Sequence, residues 1–353
     1  MTQKKIWHLI SNRWNSAITE YALSSARALN ISGCSNVFTA MENSPADKRA
    51  KELGLETFPV KDFSWQTLGT LRNYAKNINA DRILLYGGKE TFLAKFLGKA
   101  RYVRFFGQDL NTTLLRTPFL FSASYSHIYK FISPNDIISS DLQKKLSTQR
   151  IRRITLGLEA PTFKKLARLD RSEFVVLGRL DPVKGHESIL RIFAKTLKKW
   201  PEGHVRPKLH IIGEEANLSS NQVSQWIEEL NLNSHVLLTN KRVSDIQSVL
   251  HKACLGIVPS LGSEHICRVA EEFLLVGTPI FVSGAGATEE VLFSGAGQSY
   301  KGCDEEKAAQ KLVECALQTL MEPESIREAR ANAARDLFSL ETMGKNLKEF
   351  IFE

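Results

Sequence analysis

The sequence predicts an α/β protein made of two doubly wound parallel-sheet domains. Its 353 residues exceed what a single hydrophobic core usually holds, so two domains are expected. Short apolar runs, typical of buried strands, alternate with segments of helical periodicity. The alternation is interrupted and begins again near Glu173, which predicts a second sheet of the same kind.

The first half of the chain contains six short apolar runs that predict strands. Most of them are followed by a stretch in which apolar residues recur at helical spacing. The predicted strands span residues 6–10, 36–39, 56–60, 82–86, 102–106 and 129–132, and the predicted helices span 16–29, 47–53, 65–78 and 91–97. Because parallel strands are joined by crossovers, usually helices, this order predicts a parallel sheet with helices on both faces.

The second half repeats the scheme after a connecting segment near residues 150–163. The predicted strands span 174–177, 209–212, 236–238, 255–258 and 280–282, with helices in the intervals, for example 186–199 and 221–230. Ligands of such open sheets bind beyond the carboxyl ends of the strands. Functional residues are therefore expected in the loops that follow strands.

Composition favours a soluble, cytoplasmic protein. The chain is 43% hydrophobic and 24% charged, which is ordinary for a globular protein, and it lacks an apolar run of the roughly 18 residues that span a bilayer. The N-terminus passes directly into a predicted strand without a pattern typical of a cleavable signal. The five cysteines are odd in number and widely spaced, which predicts neither disulfides nor a zinc site.

The net charge of +9 is concentrated in the first half. Residues 1–157 hold 23 Lys and Arg against 11 Asp and Glu, or +12, and residues 158–353 hold 24 against 27, or −3. This polarity favours an anionic partner for the first half: phosphorylated lipid, acidic polysaccharide or nucleic acid. Nucleic acid is the least favoured because no nucleic-acid-binding motif is present. A general solubility charge is an equally good interpretation.

Two cations follow the first predicted strand of the second half. Arg179 and Lys184 lie in the segment from Gly178 to His186, which leads into a predicted helix. A guanidinium, an ammonium and a helix N-terminus together suit a diphosphate, and Gly185 allows a tight turn beside them. A surface loop with two solvated cations is the alternative interpretation.

Two glutamates eight positions apart, Glu264 and Glu272, lie between two predicted strands. The first falls in a loop and the second on the following helix, so the two carboxylates could hold two parts of one ligand. Alternatively, Glu271 and Glu272 are solvated helix charges. Cys267, between the two glutamates, is interpreted as a small filler, since no neighbouring base would activate its thiol.

In their order, these motifs resemble the retaining glycosyltransferases of family 4, which share the GT-B fold. The resemblance rests on Gly178-Arg179-Leu180, Lys184-Gly185, Leu209 to Gly213, Pro259-Ser260, Ser263-Glu264, Glu272 and Gly277-Thr278-Pro279, and on the closing segment Phe338 to Met343. It implies two Rossmann-like domains facing each other across a cleft. The implied bounds are 1–157 for an acceptor-binding domain, 158–338 for a nucleotide-sugar-binding domain, and 339–353 for a helix that crosses back to the first domain.

The resemblance also implies roles for individual residues. Arg179 and Lys184 would hold the donor diphosphate, Glu264 would face the transferred sugar, and Glu272 would bind the ribose. Further donor contacts are implied for Gly178, Gly213, Lys241, Arg242, Val243, His265, Ile266, Cys267 and Arg268. Acceptor or first-domain contacts are assigned to Asn12, Arg13, Trp14, Asn15 and Asp109.

Four departures from the family pattern stand out. The glycines common after the first glutamate are replaced by His265-Ile266-Cys267, and the loop from Ser11 to Ser16 lacks the usual glycines. Phe106 occupies the position of a common histidine, and Glu214-Glu215 places acids near the expected diphosphate.

The implied activity is retaining transfer of a hexose from a nucleoside diphosphate sugar to a glycan or glycolipid, such as lipopolysaccharide or another cell-envelope polysaccharide. Neither a cofactor nor a metal is expected, since no Asp-x-Asp pair is suited to a diphosphate-bound cation. The basic first domain would dock at the inner membrane surface. The alternatives are a nucleotide-sugar or glycan-binding protein without turnover, and a nicotinamide-dependent oxidoreductase. The latter is disfavoured because no Gly-x-Gly-x-x-Gly follows the first strand.

Overall fold

A computed structural model describes residues 3–108, 110, 118–146, 150–165, 173–262 and 264–353. The predicted fold class is confirmed, since the described chain contains two parallel sheets, each covered by helices. The residues divide into two compact units. The first unit comprises the described residues up to Glu159 together with Leu337–Glu353, and the second unit is Ala160–Asp336.

The first unit is built on a seven-stranded sheet of order β3-β2-β1-β4-β5-β6-β7. Its strands are β1 (Lys5–Leu9), β2 (Ser35–Thr39), β3 (Glu56–Thr57), β4 (Arg82–Leu85), β5 (Tyr102–Phe105), β6 (Ile128–Ser133) and β7 (Ile151–Arg153). Its helices are α1 (Ala17–Ile31), α2 (Pro45–Glu52), α3 (Leu68–Ile78), α4 (Gly88–Leu97), α5 (Pro118–Ser124) and α6 (Asp136–Leu146). All six strand pairs are parallel, as the strand–helix alternation predicts.

The second unit contains a six-stranded sheet of order β10-β9-β8-β11-β12-β13. Its strands are β8 (Glu173–Leu177), β9 (Lys208–Ile212), β10 (Val236–Thr239), β11 (Ala253–Val258), β12 (Ile280–Val282) and β13 (Gly297–Ser299). Its helices are α7 (His186–Lys199), α8 (Ser220–Glu229), α9 (Ile246–Lys252), α10 (Arg268–Leu275), α11 (Glu305–Met321) and α12 (Glu324–Phe338), whose last two residues belong to the first unit. Both sheets follow the doubly wound order, in which the strand sequence reverses at an internal switch point.

The last helix, α13 (Leu340–Phe352), packs against α1 of the first unit. Gly344 allows the two helices to approach closely, since a Cβ at this position would overlap the carbonyl oxygen of Ala28. At the C-terminal end of α13, Lys130 Nζ donates to the Phe350 carbonyl at 2.6 Å and Arg82 Nε donates to the Ile351 carbonyl at 2.5 Å. These buried cations satisfy carbonyls that have no partner within the helix and complement its dipole.

The described helices include none with the length and apolar character needed to cross a bilayer. All five cysteines carry free thiols.

A buried histidine lies at the centre of the first sheet. His8 on β1 is fully buried, its Nε2–H donates to Asn36 Oδ1 at 2.9 Å, and its Nδ1 accepts from the Tyr86 hydroxyl at 2.9 Å. Burial lowers the pKa of His8 to about 4, although the bond to Asn36 acts weakly in the opposite direction. Both ring nitrogens are thus satisfied in the neutral form.

The lowered pKa of His8 predicts that the protein loses stability in mild acid. The unfolded chain binds a proton at His8 near pH 6.5 and the folded chain only near 4, so the stabilisation present above pH 6.5 is lost as the pH falls towards 4. The loss attributable to His8 is up to about 3 kcal/mol. The unfolding free energy, measured by urea unfolding at several pH values in this window, should fall less steeply with decreasing pH for His8→Gln than for the wild type. An equal pH dependence of the two proteins would contradict the assignment.

Candidate functional site

The loops that follow the strands of the second sheet lie along one edge. Because the strand pairs are all parallel, the segments after β8, β9, β10, β11 and β12 emerge at the same carboxyl-terminal edge. The sheet order reverses at β8, so the loops after β8 and β11 flank the switch point, where open α/β sheets bind ligands. These two loops carry Arg179, Lys184 and Glu264.

The loop after β8 passes closely against the loop after β9. A Cβ on Gly213 would overlap the carbonyl oxygen of Gly178, so a glycine is required where the two loops cross. The crossing is fixed by backbone bonds, since Gly178 N–H donates to Ile212 O at 3.0 Å and Leu180 N–H donates to Glu214 O at 2.8 Å. The segment that carries Arg179 therefore has a defined path.

Asp181 organises the turn between the two cations. Its Oδ1 accepts from the Val183 N–H at 3.1 Å and its Oδ2 accepts from Asn217 Nδ2 at 2.8 Å. Burial opposes ionisation of Asp181, but these two hydrogen bonds and the charges of Arg179 and Lys184 outweigh burial and lower its pKa. One ionised carboxylate thus lies within the field of both cations.

His186, the first residue of α7, ties this turn to the helix. Its Nε2–H donates to the Arg179 carbonyl at 2.9 Å, and its Nδ1 is buried with no hydrogen-bond partner among the described residues. Burial is the main cause of its lowered pKa, which keeps the ring neutral. The Arg179 side chain itself is 66% exposed and reaches to 4.0 Å from Asp181 Oδ2.

Lys184 and Glu264 form an ion pair at the centre of the site, although 80 positions separate them in sequence. Glu264 is buried, and its Oε1 accepts both from Lys184 Nζ and from Ser260 Oγ, the latter at 2.6 Å. Its Oε2 has no hydrogen-bond partner among the described residues. The pair borders a cavity of about 40 Å³. The cavity walls include Gly178, Lys184, His186, Ser260, Glu264 and Val269.

The backbone of Glu264 is held by the loop after β12. Its carbonyl accepts from the Ala287 N–H at 2.7 Å, and Gly286, at a φ of +58°, lies so close that a Cβ would overlap the same carbonyl. Cys267 is buried beside this turn. Burial, reinforced by nearby carboxylates, raises the pKa of the Cys267 thiol well above its usual value, so the group is a neutral thiol.

Helix α10 carries Glu272 on the side that faces the cavity. Val269 lines the cavity, and Glu272 follows it by three residues, so the two side chains share one face of the helix. The Glu272 carboxylate pairs with Arg268 Nε at 2.8 Å and is only 17% exposed. Its neighbour Glu271 is 1% exposed. The interpretation of Glu271 and Glu272 as solvated charges is therefore wrong.

Of the predicted donor residues, Gly178, Lys184 and Glu264 line this cavity, and the others are not among its described lining residues. Lys241 and Arg242 are exposed and Val243 is partly exposed in the loop after β10, and none is among the described residues that line the cavity. His265 is partly exposed and Ile266 is buried, in the short segment that connects Glu264 to α10.

Among the described residues, neither Glu214 nor Glu215 forms an ion pair with Arg179 or Lys184. Glu215 Oε1 accepts from the Ser220 N–H at 2.7 Å and also from the Ser220 hydroxyl, at the start of α8. These two hydrogen bonds lower the pKa of Glu215. Glu214 is exposed. The departure from the family pattern is thus accommodated by a bond to a neighbouring helix N-terminus.

In the first unit, the predicted residues of the loop after β1 form an ordered turn. Asn12 Oδ1 accepts from the Trp14 N–H at 3.0 Å and Asn12 Nδ2 donates to Ser16 Oγ at 2.6 Å. Arg13, Trp14 and Asn15 are exposed. The loop follows the switch-point strand β1, and Ser11 at its start donates its N–H to the buried Glu90 at 3.1 Å. Asp109 lies outside the described residues.

Sequence reasoning assigned no role to several residues that hold the site together. Ser260 and Asp181 had local signals, since Ser260 precedes Glu264 by four residues and Asp181 precedes a proline that begins the turn. His186 lies only seven residues after its partner, the Arg179 carbonyl, but no sequence pattern marks that bond. Gly286 had no signal, because tertiary packing alone brings it close to Glu264. Groups of three or more His, Cys, Asp or Glu side chains placed to hold a metal ion are absent from the described residues.

Residues 159–336, just over half of the chain, match the family model described as glycosyl transferases group 1. This match covers the second unit and therefore includes the whole cavity described above. No curated protein shows significant sequence similarity to the chain.

Three solved structures illustrate the similarity in fold. A glycosyltransferase from Rickettsia africae ESF-5 superimposes with a TM-score of 0.82 at 17% identity, over 100% of both chains. Anabaena Alr3699/HepE in complex with UDP and glucose gives 0.76 at 15% identity, over 99% of this chain and 100% of that one. The lipopolysaccharide outer core galactosyltransferase WaaB gives 0.73 at 12% identity, over 99% of both.

Proposed function

Because this chain belongs to the glycosyl transferases of group 1, we propose that it transfers a hexose from a nucleoside diphosphate sugar to a glycan or glycolipid, with retention of anomeric configuration as in family 4. The observation that carries the proposal is the part-buried pairing of Lys184 with Glu264 beside Gly178, at the switch point of the second sheet. A cation suited to a diphosphate and a carboxylate suited to a sugar meet there.

The donor contacts follow from this placement. Lys184, Arg179 and the N-terminus of α7 bind the diphosphate, while the unpaired Oε2 of Glu264 accepts a hydroxyl of the sugar. Glu272 binds the ribose after exchanging its bond to Arg268 for one to the nucleotide. The other proposed donor contacts are Gly178, Gly213, Lys241, Arg242, Val243, His265, Ile266, Cys267 and Arg268.

The transfer step needs charge stabilisation more than it needs a protein nucleophile. The bond between the anomeric carbon and the diphosphate oxygen breaks, and the acceptor hydroxyl attacks the same face of that carbon. Its proton passes to the departing phosphate oxygen, so the products are a glycoside and a nucleoside diphosphate. Lys184 and Arg179 stabilise the negative charge that develops on the leaving group, which is the role we propose in place of a metal ion.

The first unit is proposed to bind the acceptor, with Asn12, Arg13, Trp14, Asn15 and Asp109 as candidate contacts. Its strongly basic composition suits a phosphorylated glycolipid or cell-envelope polysaccharide, including lipopolysaccharide, at the cytoplasmic face of a membrane. No cofactor is required beyond the donor.

The donor is tested by a thermal-shift panel of UDP, GDP, ADP, CMP and their sugars. A structurally similar protein was solved with UDP and glucose, so UDP is the first candidate. The correct nucleotide should raise Tm of the wild type by a few degrees and raise that of Lys184→Ala much less. Lys301→Ala, which breaks the exposed pair with Glu289, is the matched control and should respond like the wild type.

Turnover is then measured with the nucleotide identified. Release of nucleoside diphosphate from its sugar, undiminished by a chelator, supports a metal-independent transferase. Tight binding without release in the presence of glycolipid extracts would instead favour a nucleotide-sugar-binding protein.

A further inference from the structure

The exposed face of α4 in the first unit combines aromatic and basic side chains. Phe92 is 49% exposed and Phe96 is 38% exposed, and Trp65, just before α3, is 58% exposed and packs against both. Ring centroids lie 4.7 Å apart for Trp65 and Phe96 and 5.8 Å apart for Phe92 and Phe96. Large apolar side chains that are in contact with one another and yet face solvent mark an interaction surface.

Lysines alternate with these rings along the same face. Lys89 and Lys95 are exposed on α4 at the helical spacing of Phe92 and Phe96, and the exposed Lys99 follows the end of the helix at Leu97. Lys95 Nζ lies 5.9 Å from the centroid of the Phe92 ring. The only carboxylate in the sequence of α4, Glu90, is fully buried on the opposite face. We call Trp65, Phe92, Phe96, Lys89 and Lys95, together with Lys99 just beyond the helix, the α4 face.

A hollow of about 460 Å³ opens between Trp65 and Phe92, and its floor is formed by the buried Phe63 and Leu93. Apart from the buried Glu90, the nearest acid along the chain is Asp62, whose carboxylate accepts hydrogen bonds from the hydroxyls of Ser64 and Thr67. The exposed Lys89 and Lys95 outnumber this carboxylate, so the surface around the rings is positively charged as well as apolar.

We propose that the α4 face docks on an anionic lipid bilayer. Aromatic rings partition into the headgroup region, and lysines on the same face are attracted to anionic headgroups, each contributing a further factor to the binding constant. The hollow would receive lipid chains beside Trp65. Because α4 follows β4 at the switch point of the first sheet, docking would place this unit's carboxyl-terminal loops near the membrane. Docking would bring the first unit to the membrane that contains a glycolipid acceptor, and in that respect the proposal rests on the proposed function.

Vesicle co-sedimentation of the full chain, without donor or acceptor, tests the docking. Binding is expected to vesicles of equal parts phosphatidylcholine and phosphatidylglycerol and to be far weaker to phosphatidylcholine alone. The triple variant Lys89→Gln, Lys95→Gln, Lys99→Gln should bind the anionic vesicles on the order of 100-fold more weakly. The charge-matched control Lys48→Gln, Lys76→Gln, Lys144→Gln removes three exposed lysines of the same unit and should retain most of the binding.

Substitutions of the aromatic residues test whether the rings of the α4 face contribute to vesicle binding. Phe92→Ser with Phe96→Ser should lower binding at least about tenfold, while Ile31→Ser, at a 52% exposed apolar residue of the same unit, should not. The blue shift of tryptophan emission on adding vesicles should disappear in Trp65→Ser. All four side chains are exposed, so unchanged Tm is expected and is measured for each variant.

Two results would overturn the proposal. Equal losses from both lysine triples would show that overall charge, not the α4 face, governs binding. Unchanged vesicle binding of the aromatic variants, together with reduced transfer to a soluble acceptor, would show that the rings stack on acceptor sugars instead. The vesicle-binding part of each result does not depend on the donor assignment, because it is measured without donor or acceptor. Unchanged vesicle binding of the aromatic variants overturns the docking by itself.

Discussion

Replacing Lys184 with alanine is expected to lower kcat for sugar transfer by at least about 100-fold, the scale of losing one preorganised charge partner of a leaving group. Lys184 Nζ lies against Glu264 in the cavity beside Gly178, where a diphosphate would exchange places with the carboxylate as its partner. Because the charge on the leaving group grows in the transition state, the loss should fall on kcat more than on KM. Single-turnover and steady-state rates with the identified donor measure this.

The same substitution has a second effect on stability. Glu264 is 7% exposed, so without Lys184 its carboxylate keeps only Ser260 as a partner, and removing one member of a buried pair typically costs about 3–5 kcal/mol. Lys184 is partly solvent-exposed, with 25% of its side chain accessible, so the lower end of that range is expected.

A double variant separates the two effects. Lys184→Met with Glu264→Gln removes both charges and should recover most of the stability without recovering transfer. Lys301→Ala, at an exposed lysine–glutamate pair, should change the unfolding free energy by less than about 1 kcal/mol and leave the rate unaltered. A Lys184→Ala enzyme that retains wild-type kcat would remove Lys184 from the proposed chemistry.

The fold was predictable where strands are buried on both faces. Strands β1, β4, β8 and β11 consist almost wholly of buried residues and read as apolar runs in the sequence. The edge strand β7, Ile-Arg-Arg, is half-buried throughout and falls within the predicted connecting segment, and β13, Gly-Gln-Ser, has no apolar side chain at all. At an edge, backbone pairing alone defines the strand, and no hydrophobic pattern marks it.

Some strands and helices begin or end at other residues than predicted, for identifiable reasons. The predicted strand at 56–60 is reduced to Glu56–Thr57 because Pro59 cannot donate to the sheet, and only Val60 pairs again, with Met41. Helix α4 begins at Gly88, three residues before the predicted Thr91, because the apolar periodicity starts only at Phe92. The predicted element was present in each case.

The candidate site was predictable in its location and not in its contacts. Strand ends and the doubly wound order place Arg179, Lys184 and Glu264 at one edge of the sheet. The bond between Lys184 and Glu264 depends on packing between segments 80 positions apart, and that of His186 to the Arg179 carbonyl depends on the path of the turn between them. Spacing along the chain carries no information on either.

Gly185→Ala is expected to destabilise the second unit by about 3 kcal/mol or more and to reduce transfer with it. Gly185 adopts a φ of +72°, which disfavours any residue with a Cβ, and that Cβ would overlap the carbonyl oxygen of Pro259. Relief of the overlap must displace either the turn that carries Lys184 or the loop that leads to Ser260 and Glu264. The substitution would thus disturb both the packing of these two loops and the position of the Lys184 charge.

Gly302→Ala is the matched control for this prediction. Gly302 has a nearly identical φ of +71°, but a Cβ added there would meet no described atom within 4 Å, so the substitution incurs only the conformational penalty, about 1 kcal/mol. Urea unfolding of both variants isolates the steric part as the difference between them. Equal destabilisation of the two would show that the loops after β8 and β11 are not packed at the distance that brings Lys184 to Glu264, and the proposed donor site would lose its geometric basis.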